Sequence, residues 1–368
     1  MFCARATICY AHGTMDERHY YHAIATAAHG AYHAVKRMRG RSRSWEEAYA
    51  ALARSGAPLP DPAGAAAALA RIEGHIILSS EAGFPAPLRN IAQPPFGLYV
   101  RGDPGALSRF GTAREGSERI PCPLAIVGTR RASAEGKRTA RDFAETLARA
   151  GFAIASGLAF GIDEAAHEGT LDARGVTVAV LAGGIDRVYP RTHEPLARRI
   201  VAQGGALVSE YPPGEEPFGY RFIERNRIIS GLVGGVLIVE APAPSGALAT
   251  ARYAMEQDRD LFVVPGAIRD GRFAGSLSLI RQGATLVASP DEILAEYGLR
   301  PAPADRQGDE DSSPEEILVL KALAAIGGGA DVDKISEATR LEPRIVNRAL
   351  GFLLLRGSIK ETDAGYTI

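Results

Sequence analysis

Between residues 124 and 287 the sequence alternates short β-branched runs with longer stretches of helical periodicity, and few folds accommodate that alternation. Strands are expected at 124–127, 153–156, 176–181, 206–209, 236–239, 261–264 and 285–287, with helices at 136–150, 162–174, 193–203, 224–232, 246–257 and 276–281. Strands separated by helices form βαβ units and a parallel sheet. The core, 122–290, is therefore predicted to be α/β: a Rossmann-like, doubly wound, mostly parallel sheet.

The chain has 368 residues, enough for two or three domains. Residues 1–74 read as a divergent N-terminal helical region, with one helix from an N-cap at Ser44 to Arg54 and another over 62–72. Its histidines, His12, His19, His22, His29 and His33, match no metal-ligand spacing and read as a solvated face. From 75 to 103 short β-like runs at 76–79 and 98–101 flank the connector FPAPLRNIAQPP and form a lead-in arm to a domain spanning 75–299, with 104–123 read as a linker. A second linker, 300–314, is polar and expected to be flexible. The remainder, 315–368, gives helices at 315–326, 332–339 and 343–356 followed by a hairpin of 358–360 and 365–368, the order of a winged helix. Arg344 and Arg348, one turn apart, are a thin phosphate footprint, so a protein-interaction or regulatory role is favoured there over direct DNA reading.

In open parallel sheets ligands bind beyond the carboxyl ends of the strands, and here those loops share a chemistry. The first, GTRRASAEG, combines a tight turn at Gly128, oxygens of Thr129 and Ser133, and the charges of Arg130 and Arg131 beside a helix start, where free N–H groups attract anions. It is not GxGxxG, and Arg130 would crowd a dinucleotide pyrophosphate. The second, SGLAFGID, places Ser156, Gly157 and Gly161 on a turn, with Asp163 in the next helix and His167 one turn on. AGGIDRVYP offers Gly183, a cation in Arg187 and a stacking face in Tyr189. After the fourth strand a long aromatic connection ends in Arg225, Asn226 and Arg227, read as a helix entrance suited to a sugar-phosphate backbone. APAPSGALAT brings Ser245, Gly246 and Thr250 to another helix start.

Together these loops describe an elongated anion-binding crevice. No GxSxG elbow, HExxH or Walker lysine accompanies them, although Asp163, Glu210 and Glu240 could converge as catalytic carboxylates. No cofactor or metal is expected. The formal net charge of −1 supplies no broad basic surface, so nucleic-acid affinity would have to come from locally placed arginines. Three cysteines without CxxC spacing suit a reducing compartment, and no apolar run approaches the roughly 18–20 residues that span a bilayer, so the expected location is the cytoplasm, away from membranes.

The segments VGTRRAS, SGLAFGIDEAAH, VAVLAGGIDRVYP, SEYPPG, RNRIISGL, VEAPAPSGALATARYAMEQDRDLFVVPG and LIRQGA strongly resemble the DNA-processing protein A (DprA/Smf) family, over 84–288. The resemblance implies a non-catalytic homodimer that binds and protects incoming single-stranded DNA and helps load RecA recombinase during natural transformation and recombination. It places Arg130 in the DNA-binding pocket. It also assigns the dimer surface to GSLSLIRQGA, with Leu277, Ser278, Ile280 and Arg281, although Leu277 stands where an asparagine is expected. Residues 1–74 lack the Gly-Pro turn of a helical domain found in many relatives. An alternative from another class is a nucleotide-processing enzyme similar to the lysine-decarboxylase-like Rossmann proteins. Their Gly-Gly-x-Gly-Thr-x-x-Glu loop corresponds to SGALATARY, with Tyr253 in place of the glutamate.

Overall fold

The computed structural model describes residues 15–110, 122–299, 313–326, 329–355, 358–362 and 365–367. Two compact units divide at Pro301 and Ala302.

The first unit opens with four helices, α1 (Glu17–Ala27), α2 (Tyr32–Arg39), α3 (Trp45–Arg54) and α4 (Pro62–Ala70). Ser44 caps α3 as predicted, accepting a hydrogen bond from the Glu47 amide. The sequence reading missed α1 and α2. Asp16 starts α1 in a capping box whose third helical residue is His19, where the usual signature has Glu or Gln. The histidines do not form one solvated face. His22 is buried, its Nδ1 lies 2.9 Å from the Tyr99 hydroxyl, and burial pushes its pKa down to about 4. His12 lies outside the described residues.

The helices are not a separate lobe. Tyr21, Ile24, Trp45 and Leu69 share a core with Ile76 and Leu78 of strand β1 (Gly74–Leu78) and Tyr99 of strand β2 (Gly97–Gly102), which follows the short helix α5 (Ala86–Arg89). The lead-in arm is thus a strand pair within the main sheet. The segment expected to be a linker starts as a 3-10 helix, Pro104–Phe110, that buries Leu107 and Phe110; most of its remainder lies outside the described residues.

Next come β3 (Leu124–Val127), α6 (Ala134–Arg149), β4 (Ile154–Ser156), α7 (Ile162–Asp172), β5 (Thr177–Val180), α8 (Glu194–Ala202) and β6 (Ala206–Ser209). They are followed by α9 (Gly219–Leu232), β7 (Gly235–Ile238), α10 (Gly246–Glu256), β8 (Asp260–Val263), α11 (Ala274–Arg281), β9 (Thr285–Leu286) and α12 (Pro290–Glu296). All seven predicted strands of this core are present, and α12 is an addition. The sheet order is β1-β2-β6-β5-β4-β3-β7-β8-β9, parallel from β6 to β9, with β2 antiparallel to both β1 and β6. Alternate strand residues feed opposite faces: Leu124, Ile126, Leu237 and Val239 pack with Phe143 of α6 and Ala165 of α7, whereas Ala125, Val127, Val236 and Ile238 pack with Ile228 of α9 and Ala251 of α10. This is the doubly wound, Rossmann-like α/β architecture expected. Strand order reverses between β3 and β7, so their carboxyl ends splay apart and open a crevice there.

The second unit contains α13 (Pro314–Ile326), α14 (Val332–Thr339), α15 (Pro343–Leu355) and the antiparallel pair β10 (Lys360–Thr362) and β11 (Gly365–Thr367). Val319, Ile335, Val346, Leu350 and Ile359 form its core. Arg344 and Arg348 are exposed on α15, and the Arg344 Nε lies 3.5 Å from a Glu342 carboxylate oxygen.

Candidate nucleic-acid interface

The crevice at the switch point encloses about 740 Å³. Its floor is the end of β3, Val127 to Arg131, and one wall is α9 through Gly219, Phe222, Ile223, Arg225, Asn226 and Ile229. Pro242, Pro244 and the start of α10 (Ser245, Gly246, Ala247, Thr250) close another side, with Ala159, Asp163, Tyr189 and Pro217 completing the rim.

The β3 loop is held by its backbone. The Thr129 amide donates to the Glu240 carbonyl at 2.7 Å, and its hydroxyl accepts from the Arg131 amide at 3.2 Å. Gly161, with φ +84°, passes so close that a Cβ there would lie 2.4 Å from the Thr129 carbonyl oxygen, so only glycine fits. Arg130 and Arg131 are consequently presented outward and exposed. The Arg130 guanidinium sits 4.7 Å from the centroid of the Phe222 ring, and Phe222 meets Tyr189 edge-on at 5.5 Å. Tyr189 is 50% exposed. A free cation next to two rings can bind a phosphate while the rings receive bases.

The α9 arginines are spent differently. Arg225 is 4% exposed, donates to the carbonyls of Gly157 (2.8 Å) and Val180, and has its pKa lowered to about 10 by burial. Gly157 has no room for a side chain, because a Cβ would lie 2.6 Å from that guanidinium. Asp163 accepts from the amides of Gly157 and Ala159; burial raises its pKa, and the Arg225 charge opposes that shift. Asn226 donates from Nδ2 to the Gly246 carbonyl at 3.2 Å, tying α9 to the start of α10. Arg227 points away from the crevice and holds both Glu210 carboxylate oxygens, at 2.7 and 2.6 Å.

The structure thus brings Gly128, Thr129, Arg130, Arg131, Tyr189, Arg225, Asn226, Ser245, Gly246 and Thr250 to one crevice, and places other predicted site residues elsewhere. Ser156 is fully buried and donates to the Ile126 carbonyl. Gly157 and Gly161 shape the loops from behind, and Gly183 packs against the backbone of Glu215 and Glu216. Arg187 pairs with Glu216 outside the crevice. Ser133 caps α6, but Glu240 already fills that helix start, accepting from the Ser133 amide at 2.9 Å and its hydroxyl at 2.5 Å. The anion expected at the first helix is therefore the protein's own carboxylate. Nor do the candidate catalytic carboxylates converge: Asp163, Glu210 and Glu240 each serve a separate partner. The expected arginine-flanked helix entrance is also corrected, since α9 begins at Gly219 and the triplet lies inside it. Sequence reasoning missed the contributions of Gly219, Ile223 and Ile229. Their spacing with Phe222 and Asn226 is one helical face, a signal present but hidden by the misplaced start.

A family model described as DNA recombination-mediator protein A matches residues 75–298. Protein Smf of Escherichia coli (strain K12) is 40% identical over 299 residues, covering 79% of this chain and 76% of that relative. DNA processing protein DprA of Bacillus subtilis (strain 168) is 39% identical over 213 residues, 58% of this chain and 68% of the relative. Among solved structures, DNA processing protein A from Streptococcus pneumoniae superposes with a TM-score of 0.61 at 29% identity, across 77% of this chain and 99% of that one. DNA processing protein A from Helicobacter pylori, whose structure is described as revealing a unique single-stranded DNA binding mode, gives 0.53 at 27% identity across 61% and 95%. The match spans the crevice and its sheet, and on these findings the chain belongs to the DNA recombination-mediator protein A (DprA/Smf) family.

Proposed function

We propose that this protein is a non-catalytic, cytoplasmic recombination mediator that binds and protects single-stranded DNA in the switch-point crevice and helps load RecA recombinase, as in natural transformation. The observation that carries this reading is the unpaired, exposed Arg130 over Phe222 and beside Tyr189. Cation and rings suit the phosphates and bases of a single strand; in a duplex the bases are stacked on one another and unavailable to the rings. The Helicobacter pylori relative supports the same ligand. Among the described residues no helix is long and apolar enough to cross a membrane.

Self-association fits the far edge of the sheet. Strand β9 pairs with β8 on one side only, Leu286 is exposed, and α11 presents half-buried Leu277, Ser278 and Ile280 with exposed Arg281. We place a homodimer contact there. The second unit is read as a winged helix with a protein-interaction or regulatory role.

The test is fluorescence anisotropy with a labelled single strand. A charge-assisted contact is worth about 1.5–3 kcal/mol, so Arg130→Ala should weaken binding roughly 10- to 100-fold while leaving thermal unfolding unchanged. Unaltered affinity in that variant would end the reading.

A further inference from the structure

A second cavity, of about 330 Å³, adjoins the crevice, and the two share Tyr189 and Pro217 as a common wall. On its far side are Arg187 and Arg191. Three carboxylates also border it, but each is engaged. Asp186 accepts from the Gly214 amide at 2.9 Å, Glu194 faces Arg198 at 3.4 Å and Arg101 at 3.7 Å, and Glu216 pairs with Arg187. Arg191 is different: it is exposed, opens the 3-10 turn Arg191–His193, and its side chain has no ion pair or hydrogen bond among the described residues.

Two unpaired guanidinium groups, Arg130 and Arg191, therefore flank the half-exposed ring of Tyr189. Cation, ring, cation is the order that phosphate, base, phosphate takes along an extended single strand. We propose that the second cavity is a continuation subsite: a strand anchored at Arg130 turns over Tyr189, and Arg191 holds a phosphate further along it. Arg187 is the weaker contributor, because a phosphate must displace its exposed partner Glu216, although exposed pairs of this kind hold loosely. The inference rests on the proposed single-strand binding and adds a direction for the strand.

The experiment is anisotropy with oligothymidylates from about 4 to about 16 nucleotides, the range over which single-strand sites fill, on wild type, Arg191→Ala and Arg191→Glu. Wild-type affinity should climb with length until both cavities are covered. The Arg191→Ala curve should follow wild type for the shortest strands and then level off about three- to tenfold weaker, with a salt slope smaller by roughly 0.7 for the lost phosphate, and Arg191→Glu should level off lower still. Curves that coincide with wild type at every length, or that fall by one factor at every length, would overturn the subsite. Failure of the wild-type protein to bind any of the strands would instead overturn the function proposed for the crevice.

Discussion

Arg130 and Arg225 line the same crevice from opposite walls, and they do different jobs. The β3 wall presents a guanidinium with no ion pair, resting on an aromatic ring; the α9 wall presents one saturated by main-chain carbonyls, with Arg227 one turn face away locked onto Glu210. An arginine buried in low dielectric and fully hydrogen-bonded is part of the scaffold, whereas one left exposed beside rings retains its capacity for a ligand. Proximity to a crevice therefore does not identify a DNA contact. Spare hydrogen-bonding capacity does.

The sharpest way to break this division is Arg227→Ala. It strands the Glu210 carboxylate, whose pKa burial already raises, and losing one partner of a buried pair costs about 3–5 kcal/mol. The unit should unfold roughly 10 °C earlier by calorimetry. Replacing both partners with apolar residues, Arg227→Met with Glu210→Leu, should recover most of that loss, because no unpaired charge then remains. If Arg227→Ala left stability intact and abolished DNA binding, the α9 wall would be interface after all.

A smaller effect is expected at Phe222, where the two walls meet. Phe222→Ala removes the ring beneath Arg130 and the partner of Tyr189 while leaving the buried α9 contacts in place. Base stacking is worth about 1–3 kcal/mol per base, so single-strand affinity should fall on the order of tenfold with little change in unfolding temperature. A drop in stability as large as that of Arg227→Ala would show that Phe222 belongs to the scaffold.

The contrast between the walls also marks where the sequence was readable. The β3 loop was legible because each of its signals is local: a glycine turn after an apolar strand, two arginines, then Ser133 before a helix. Strand alternation gave the sheet, and the reversal between β3 and β7 follows from its winding. The α9 wall was not legible, because its helix starts after Phe218 with no side-chain cap, so PFGYRF lacks the usual start signal and reads as loop. The fate of the charges was hidden for another reason. Glu240 reaching Ser133 spans 107 residues and Arg225 reaching Gly157 spans 68, and periodicity carries no record of such contacts. The N-terminal helices escaped partly because a capping box closed by His19 departs from the familiar Glu or Gln.

The smallest effect tests how far the scaffold extends behind the α9 wall. Glu215 bonds Arg221 at 2.8 Å and His29 at 2.9 Å, while Arg221 also donates to the His29 carbonyl at 3.0 Å. Through these contacts the turn between α1 and α2 grips the segment that leads into Pro217 and Gly219, both at the crevice rim. Glu215→Gln keeps an acceptor in place but removes the charge facing a buried guanidinium, and the loss should be about 1 kcal/mol, a shift of roughly 2–4 °C. Because the rim moves only slightly if it is held at two other points by Arg221, to the carbonyls of Glu216 and His29, single-strand affinity should change less than about threefold. An affinity loss matching that of Phe222→Ala would redraw the comparison: the N-terminal helices would then set the shape of the binding surface, and the division between free and spent arginines would depend on their docking.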